Sequence, residues 1–219
     1  MIAPRELRQS LFEKLSERMA AEGFRLNKSL ERYIRRQGAV ELQYWVLTTV
    51  LPDGSVSVDP GVGVRHHAVE DIYHRCSGVV AKWQKHSPTY SIDLWRWVAR
   101  ERGLPDSALR EDFIQKVTCE EAVESAASEL YRAYELFASL FFERYSVLSE
   151  LYRLFCDQLG VHLYGLPVRN ICTGLIVSKL AGRPDFPRIC DFALEKASAL
   201  GDRVSVAQIE CLIKELGRG

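Results

Sequence analysis

His67, Asp71 and His74 stand at i, i+4 and i+7 in the run His66-His67-Ala-Val-Glu-Asp-Ile-Tyr-His74. On a helix, that spacing projects two imidazoles and a carboxylate from one face, a donor set able to hold a metal. The chemistry would be that of a metal-dependent hydrolase or nuclease. The motif is not H-E-x-x-H, and a solvated helix face accounts for the same residues. Nucleophilic chemistry has less to stand on. There is no G-x-S-x-G elbow. Cys119 opens an expected helix, a position that favours thiolate, but Glu120 and Glu121 follow it and oppose that effect. Gly61-Val-Gly63-Val beside Pro60 lacks the register of a phosphate-binding loop and reads as a bulged strand.

Two further groups point to binding rather than reaction. Arg25, Lys28, Arg32, Arg35 and Arg36, interleaved with Phe24 and Tyr33, are the side-chain types that hold single-stranded nucleic acid. Glu31 and Glu41 fall in the same stretch, and 29 basic residues balance 29 acidic ones, which argues against a polyanionic partner. The second group comes from alternation. In 40–50 and 56–65 every second residue apart from Thr48 is apolar, with Val40, Leu42, Tyr44, Val46, Val56 and Val58 on the core face. The opposite face then carries Gln43, Trp45, Leu47, Ser57 and Asp59. A strand expected over 88–98 adds Asp93, Trp95 and Trp97. Tryptophan mixed with carboxylates resembles the composition of an interaction hot spot, and burial of this face by the C-terminal helices is the other reading open to it. The acid-rich stretch 111–150 supplies Glu120 and Glu124 as further contact candidates.

The elements that position these residues follow from periodicity. Leu7, Leu11, Phe12, Leu15 and Met19 mark an amphipathic helix over 5–22, stopped by Gly23. Strands follow at about 30–35, 40–50 and 56–65, with Pro52-Asp53-Gly54 as a hairpin turn. A helix spans 66–83, then the strand over 88–98. Thr118-Cys-Glu-Glu121 reads as a capping box opening a helix to about Tyr145. More helices are expected at 147–158, 167–181, 185–199 and 205–216. The fold class is α+β: an antiparallel sheet of about four strands flanked by helices, with a helical C-terminal half. The charged stretch around Gly103-Leu104-Pro105 divides a sheet domain, 1–103, from a helical region, 104–219, packed on it. A single domain is the other arrangement open to the chain.

Glu22-Gly-Phe24-Arg25, Tyr33-Ile-Arg35, Leu42-Gln-Tyr44 and the late segment Phe186-Pro-Arg-Ile-Cys-Asp-Phe-Ala-Leu194 resemble small bacterial domain families of unknown function. Their genes occur near toxin–immunity and defence loci. The resemblance implies a binding protein and brings no catalytic residues with it.

Six cysteines without C-x-x-C spacing read as reduced, buried thiols. No apolar run is long enough to span a membrane, and the charged N-terminal stretch lacks a signal-peptide core. The expectation is a cytoplasmic bacterial protein-binding module, an immunity or adaptor protein that occludes a protein partner. It needs no cofactor and no membrane. Trp45, Trp95, Trp97, Asp93, Glu120 and Glu124 would make the contact.

Overall fold

The structure, a computed structural model, describes residues 3–157 and 167–217. Its elements are α1 (Pro4–Ala21), β1 (Arg25–Asn27), β2 (Arg32–Gln37), β3 (Val40–Val50), β4 (Val56–His66), α2 (His67–Cys76), α3 (Ala81–Gln84), β5 (Tyr90–Asp93) and α4 (Leu94–Glu101). There follow α5 (Arg110–Phe113), β6 (Gln115–Val117), α6 (Glu120–Ala133), a π-helical turn (Tyr134–Ala138), α7 (Ser139–Tyr145) and α8 (Leu148–Tyr152). A second π-helical turn (Arg153–Asp157), α9 (Pro167–Leu180), α10 (Phe186–Ala199) and α11 (Arg203–Gly217) complete the order. This is the α+β arrangement expected: an antiparallel sheet with flanking helices, then a helical C-terminal half. The sheet runs β1-β2-β3-β4-β5, and β6 also pairs with β4. The three-residue strands β1 and β6 carry too few residues to show a period.

The chain divides into two compact units, each assembled from two stretches. One holds Met1–Val64 and Ser91–Glu143, the other Arg65–Tyr90 and Arg144–Gly219. The boundary expected at 103/104 falls inside the Ser91–Glu143 stretch of the first unit. Segment 65–90 leaves the sheet between β4 and β5, a long-range event that local composition does not record.

In the first unit, α1 buries Leu7, Leu11, Leu15 and Met19, the stripe its spacing announced. The sheet contributes Tyr33, Leu42, Tyr44, Val46, Val56 and Val58. Tyr33 and Tyr44 face each other across β2 and β3. Both phenols are hydrogen-bonded: Tyr44 donates to the Leu130 carbonyl at 2.8 Å and Tyr33 to that of Phe12 at 3.1 Å. Burial raises both acidities' pKa, that of Tyr33 to about 12. Phe24, Tyr134 and Phe142 fill the same core.

Several local expectations change. Glu31 is not in a strand. It turns the chain at φ 51, and its carboxylate is bonded by the Arg8 guanidinium and, at 2.9 Å, the Thr48 hydroxyl. Helix α6 is preceded by Cys119 rather than capped by Thr118, because the backbone there is still extended from β6. Gly61 is required by a close approach. A Cβ there would lie 2.0 Å from the Trp45 indole nitrogen, so the glycine is the seat of that ring. The last residue of the helix expected over 147–158 lies outside the described residues.

The largest correction concerns the strand over 88–98. The strand ends at Asp93, and Leu94, Trp95, Trp97, Val98 and Ala99 are buried on helix α4. Trp95 and Trp97 are each 5% exposed. Trp97 meets Phe141 edge-to-face at 5.5 Å between centroids. The sheet therefore has no triple-tryptophan face, and two of its expected anchors are core.

In the second unit, α9 buries Cys172, Leu175, Ile176 and Val177, α10 Ile189 and Ala193, and α11 Ile209 and Leu212. Tyr90 stacks edge-to-face on Tyr145 at 5.0 Å. Cys76, the last residue of α2, is disulfide-bonded to Cys211 of α11, with Cα atoms 5.8 Å apart. The expectation of reduced thiols fails for this pair. A separation of 135 residues hides it from any spacing rule. Cys172 and Cys190 are buried free thiols, and Cys119 is exposed.

Replacing Trp97 with Ala is expected to cost about 3–5 kcal/mol of unfolding free energy, as for buried tryptophans generally. Urea denaturation checks this. A loss below about 0.5 kcal/mol, the surface range, would show that Trp97 is not core.

Candidate binding site

The second unit is organised around one carboxylate. Glu70 lies in the first turn of α2 and is 0% exposed. Burial alone would raise its pKa. The His74 hydrogen bond, the Arg169 charge and the Ser87 and Thr89 hydroxyls outweigh that and hold it below the ordinary carboxylate value.

Four stretches of chain supply the partners. From α2 itself, His74 stands one turn on, with Nε2 3.3 Å from Glu70 Oε2. The end of β4 supplies Arg65, 3.5 Å from the same oxygen. The chain returning from α3 supplies Ser87, which donates to Oε2 at 2.7 Å, and Thr89, which donates to Oε1 at 2.9 Å. Helix α9 supplies Arg169, whose Nη2 donates to Oε1 and, at 3.1 Å, to the Pro88 carbonyl. The Arg169 guanidinium also lies 3.7 Å from the centroid of the Tyr73 ring. Thr89 Oγ1 in turn accepts the His66 backbone N–H at 2.9 Å.

Serine, histidine and glutamate thus meet, but not as a nucleophilic triad. In a triad the carboxylate orients the ring nitrogen remote from the serine. Here Glu70 and Ser87 both face His74 Nε2, at 3.3 and 2.8 Å, and Nδ1 faces Ser77 Oγ at 3.1 Å. With its proton directed to Glu70, Ser87 has none for a base to withdraw. The arrangement differs from a triad and fixes nearby backbone.

What it holds is the segment between α2 and β5. Arg65 Nη1 donates to the carbonyls of Gln84 at 2.9 Å and Ser87 at 2.7 Å. Gln84 Nε2 reaches the Val79 carbonyl at 2.7 Å, and the Trp83 amide donates to Val80 O at 2.9 Å. Pinned from below, the segment presents Trp83 at 63% exposure and Val80 at 61%. Lys82 Nζ sits 5.1 Å from the Trp83 ring centroid. Beside them opens a cleft of about 400 Å³ lined by Arg65, Asp71, His74, Arg75, Ala81, Gln84 and Lys85.

Of the residues singled out from sequence, His74 and Asp71 belong to this site and the others do not. His67, Asp71 and His74 do not form a metal centre. Both ring nitrogens of His74 face hydrogen-bond partners, and among the described residues no group of three His, Cys, Asp or Glu side chains could hold an ion. The basic cluster is largely consumed inside the first unit. Arg32 lies over Trp45 and bonds Gln43, Arg35 lies over Phe24 and bonds the Glu22 carbonyl, and Arg36 pairs with Glu41. Arg25 and Lys28 are exposed. Trp45 is half-buried on Gly61, Asp93 pairs with Arg96 at 3.1 Å, and Glu124 binds Arg18 at 2.7 Å. Glu120 is exposed in the first turn of α6. Sequence reasoning passed over Glu70, Ser87, Arg169 and Trp83. The i, i+4 pair Glu70–His74 was the one signal available.

Compared with known proteins, the chain matches no family model, and neither a curated protein nor a solved structure resembles it at a significant level.

Replacing Glu70 with Gln strands two guanidinium groups with no counter-charge and is expected to cost about 3–5 kcal/mol. The folded-state pKa of Glu70 lies below the unfolded 4.5. Its contribution is thus complete above that value and lost as pH falls through the folded pKa. The stability gap between wild type and Glu70→Gln, from urea curves, should be widest near neutrality and narrow on acidification. A gap that is absent or independent of pH would contradict the ion-pair account.

Proposed function

We propose that the protein is a protein-binding module, acting by occupying a partner's surface, with Trp83 as its anchor. The observation that carries this reading is that Trp83 is exposed on a short helix whose flanks are fixed by the Glu70 network. Tryptophan is among the residue types most enriched in binding hot spots. A segment held in place before binding also loses less conformational freedom when it docks. Lys82, Lys85 and Arg75 surround the site, so the fitting partner surface is apolar with an acidic rim. The contact is thereby moved from the sheet to the Val80–Lys85 segment. Catalysis has less support, because the Ser-His-Glu meeting among the described residues is committed to structure.

The compartment turns on Cys76–Cys211. Disulfides persist where conditions are oxidising and are opened by cytoplasmic thiols when accessible, and Cys211 is exposed. This argues against the cytoplasmic setting expected from the sequence.

The test is affinity capture from the native cell with wild type and Trp83→Ala in parallel. The variant should keep wild-type stability to within about 0.5 kcal/mol, as an exposed side chain does. It should lose a stoichiometric partner that wild type retains, with affinity down by more than about tenfold, the size of a hot-spot truncation. Equal recovery by both proteins, or no partner with wild type, overturns the proposal.

A further inference from the structure

We propose that the cleft beside Trp83 is an oxyanion-binding site, taking a carboxylate or phosphoryl group between Arg65, Arg75 and Lys85. The argument is one of charge balance and does not depend on Trp83 being an anchor. Among the described residues Glu70 is the single buried carboxylate of the second unit's polar network, yet two guanidinium groups converge on it. Their side chains are only 7% and 19% exposed for Arg65 and Arg169. Arg169 satisfies Glu70 Oε1, and Ser87 satisfies Oε2 with Arg65 set back at 3.5 Å. Among the described residues the two guanidinium groups and Glu70 thus leave one excess positive charge, largely withdrawn from water, and a buried charge of that kind is stable only when paired.

The excess sits on the side that opens outward. Arg65 is the member of the pair that lines the cleft, and its Nε is buried without a hydrogen-bond partner among the described residues. Its Nη1 is held on the Gln84 and Ser87 carbonyls, so the guanidinium plane is fixed before any ligand arrives. The rim adds Lys85 and Arg75. Arg75 also pairs with Glu215 at 2.9 Å, and Asp71 is the one carboxylate lining the cleft. His74 is turned inward by its bonds to Ser77 and Ser87. Against Asp71 stand three cations, one of them immobilised, a setting that suits a compact anion accepting several N–H donors.

Titration of the intact protein with inorganic phosphate, and separately with acetate, tests this at constant ionic strength set with sodium chloride. The readout is the amide resonances of residues 65–90. The expected result is saturable shifts confined to the neighbourhood of Arg65, Arg75, Gln84 and Lys85. Combined Arg75→Ala and Lys85→Ala substitution should weaken them by about tenfold or more, as loss of charge-assisted bonds does. Trp83→Ala should leave them intact, which separates this site from the partner-binding reading. Tighter phosphate than acetate assigns a phosphoryl ligand, and the reverse a carboxylate such as an acidic side chain. Shifts that rise linearly without saturation, spread over the whole chain, or survive in the double variant overturn the proposal.

Discussion

A carboxylate that has left water must be neutralised where it lies, and Glu70 meets that requirement with groups from four separate stretches of chain. One oxygen takes Thr89 and Arg169, the other Ser87 with Arg65 and His74 close by. Each of these groups is useful only if the others are in place, because a half-satisfied buried network is worse than an apolar one. The end of β4, helix α2, the return to β5 and the first turn of α9 are thereby held to one geometry. Apolar burial gives the second unit most of its stability, but burial is indifferent to register. The ionic network is directional.

That directionality reaches the surface through Arg65. The same guanidinium that approaches Glu70 also holds the carbonyls of Gln84 and Ser87, on either side of the segment's last turn. Without it, Ala81–Gln84 would be a four-residue helix with little of its own to keep it folded. With it, Trp83 and Val80 can stay exposed on a defined scaffold. The Cys76–Cys211 bridge ties the end of α2, where this segment begins, to α11. Charge in the interior, loop geometry and an exposed aromatic are thus one causal sequence within the second unit.

Much of the fold was legible in the sequence, because it rests on local period. The stripe Leu7-Leu11-Leu15-Met19 and the alternation through Val40–Val50 name their own structures. Helices α9, α10 and α11 begin and end close to where punctuation by Pro and Gly places them. The failure at Tyr90–Trp97 has a physical cause. Tyr90 and Ile92 alternate as in a strand, while Leu94, Trp97 and Val98 fit a helix equally well, and residue spacing does not reveal where one period yields to the other. That single ambiguity created a tryptophan face the protein does not have. The candidate site was hidden for a different reason. Glu70 and Arg169 are 99 residues apart, and Cys76 and Cys211 are 135 apart. Such meetings are products of the tertiary fold. Trp83 was assigned to the end of a long helix, where an exposed position could not be told from a covered one.

Amide hydrogen exchange of the intact protein, wild type beside Glu70→Gln, tests most directly whether the buried carboxylate holds the Trp83 segment. Strand β3, in the other unit, serves as the internal reference. Loss of the carboxylate should speed exchange across residues 77–89 by about tenfold or more, as release of a locally cooperative unit does. Exchange in Val40–Val50 should stay unchanged. Equal exchange in 77–89 for the two proteins would show that the segment keeps its shape without Glu70 and would contradict the account.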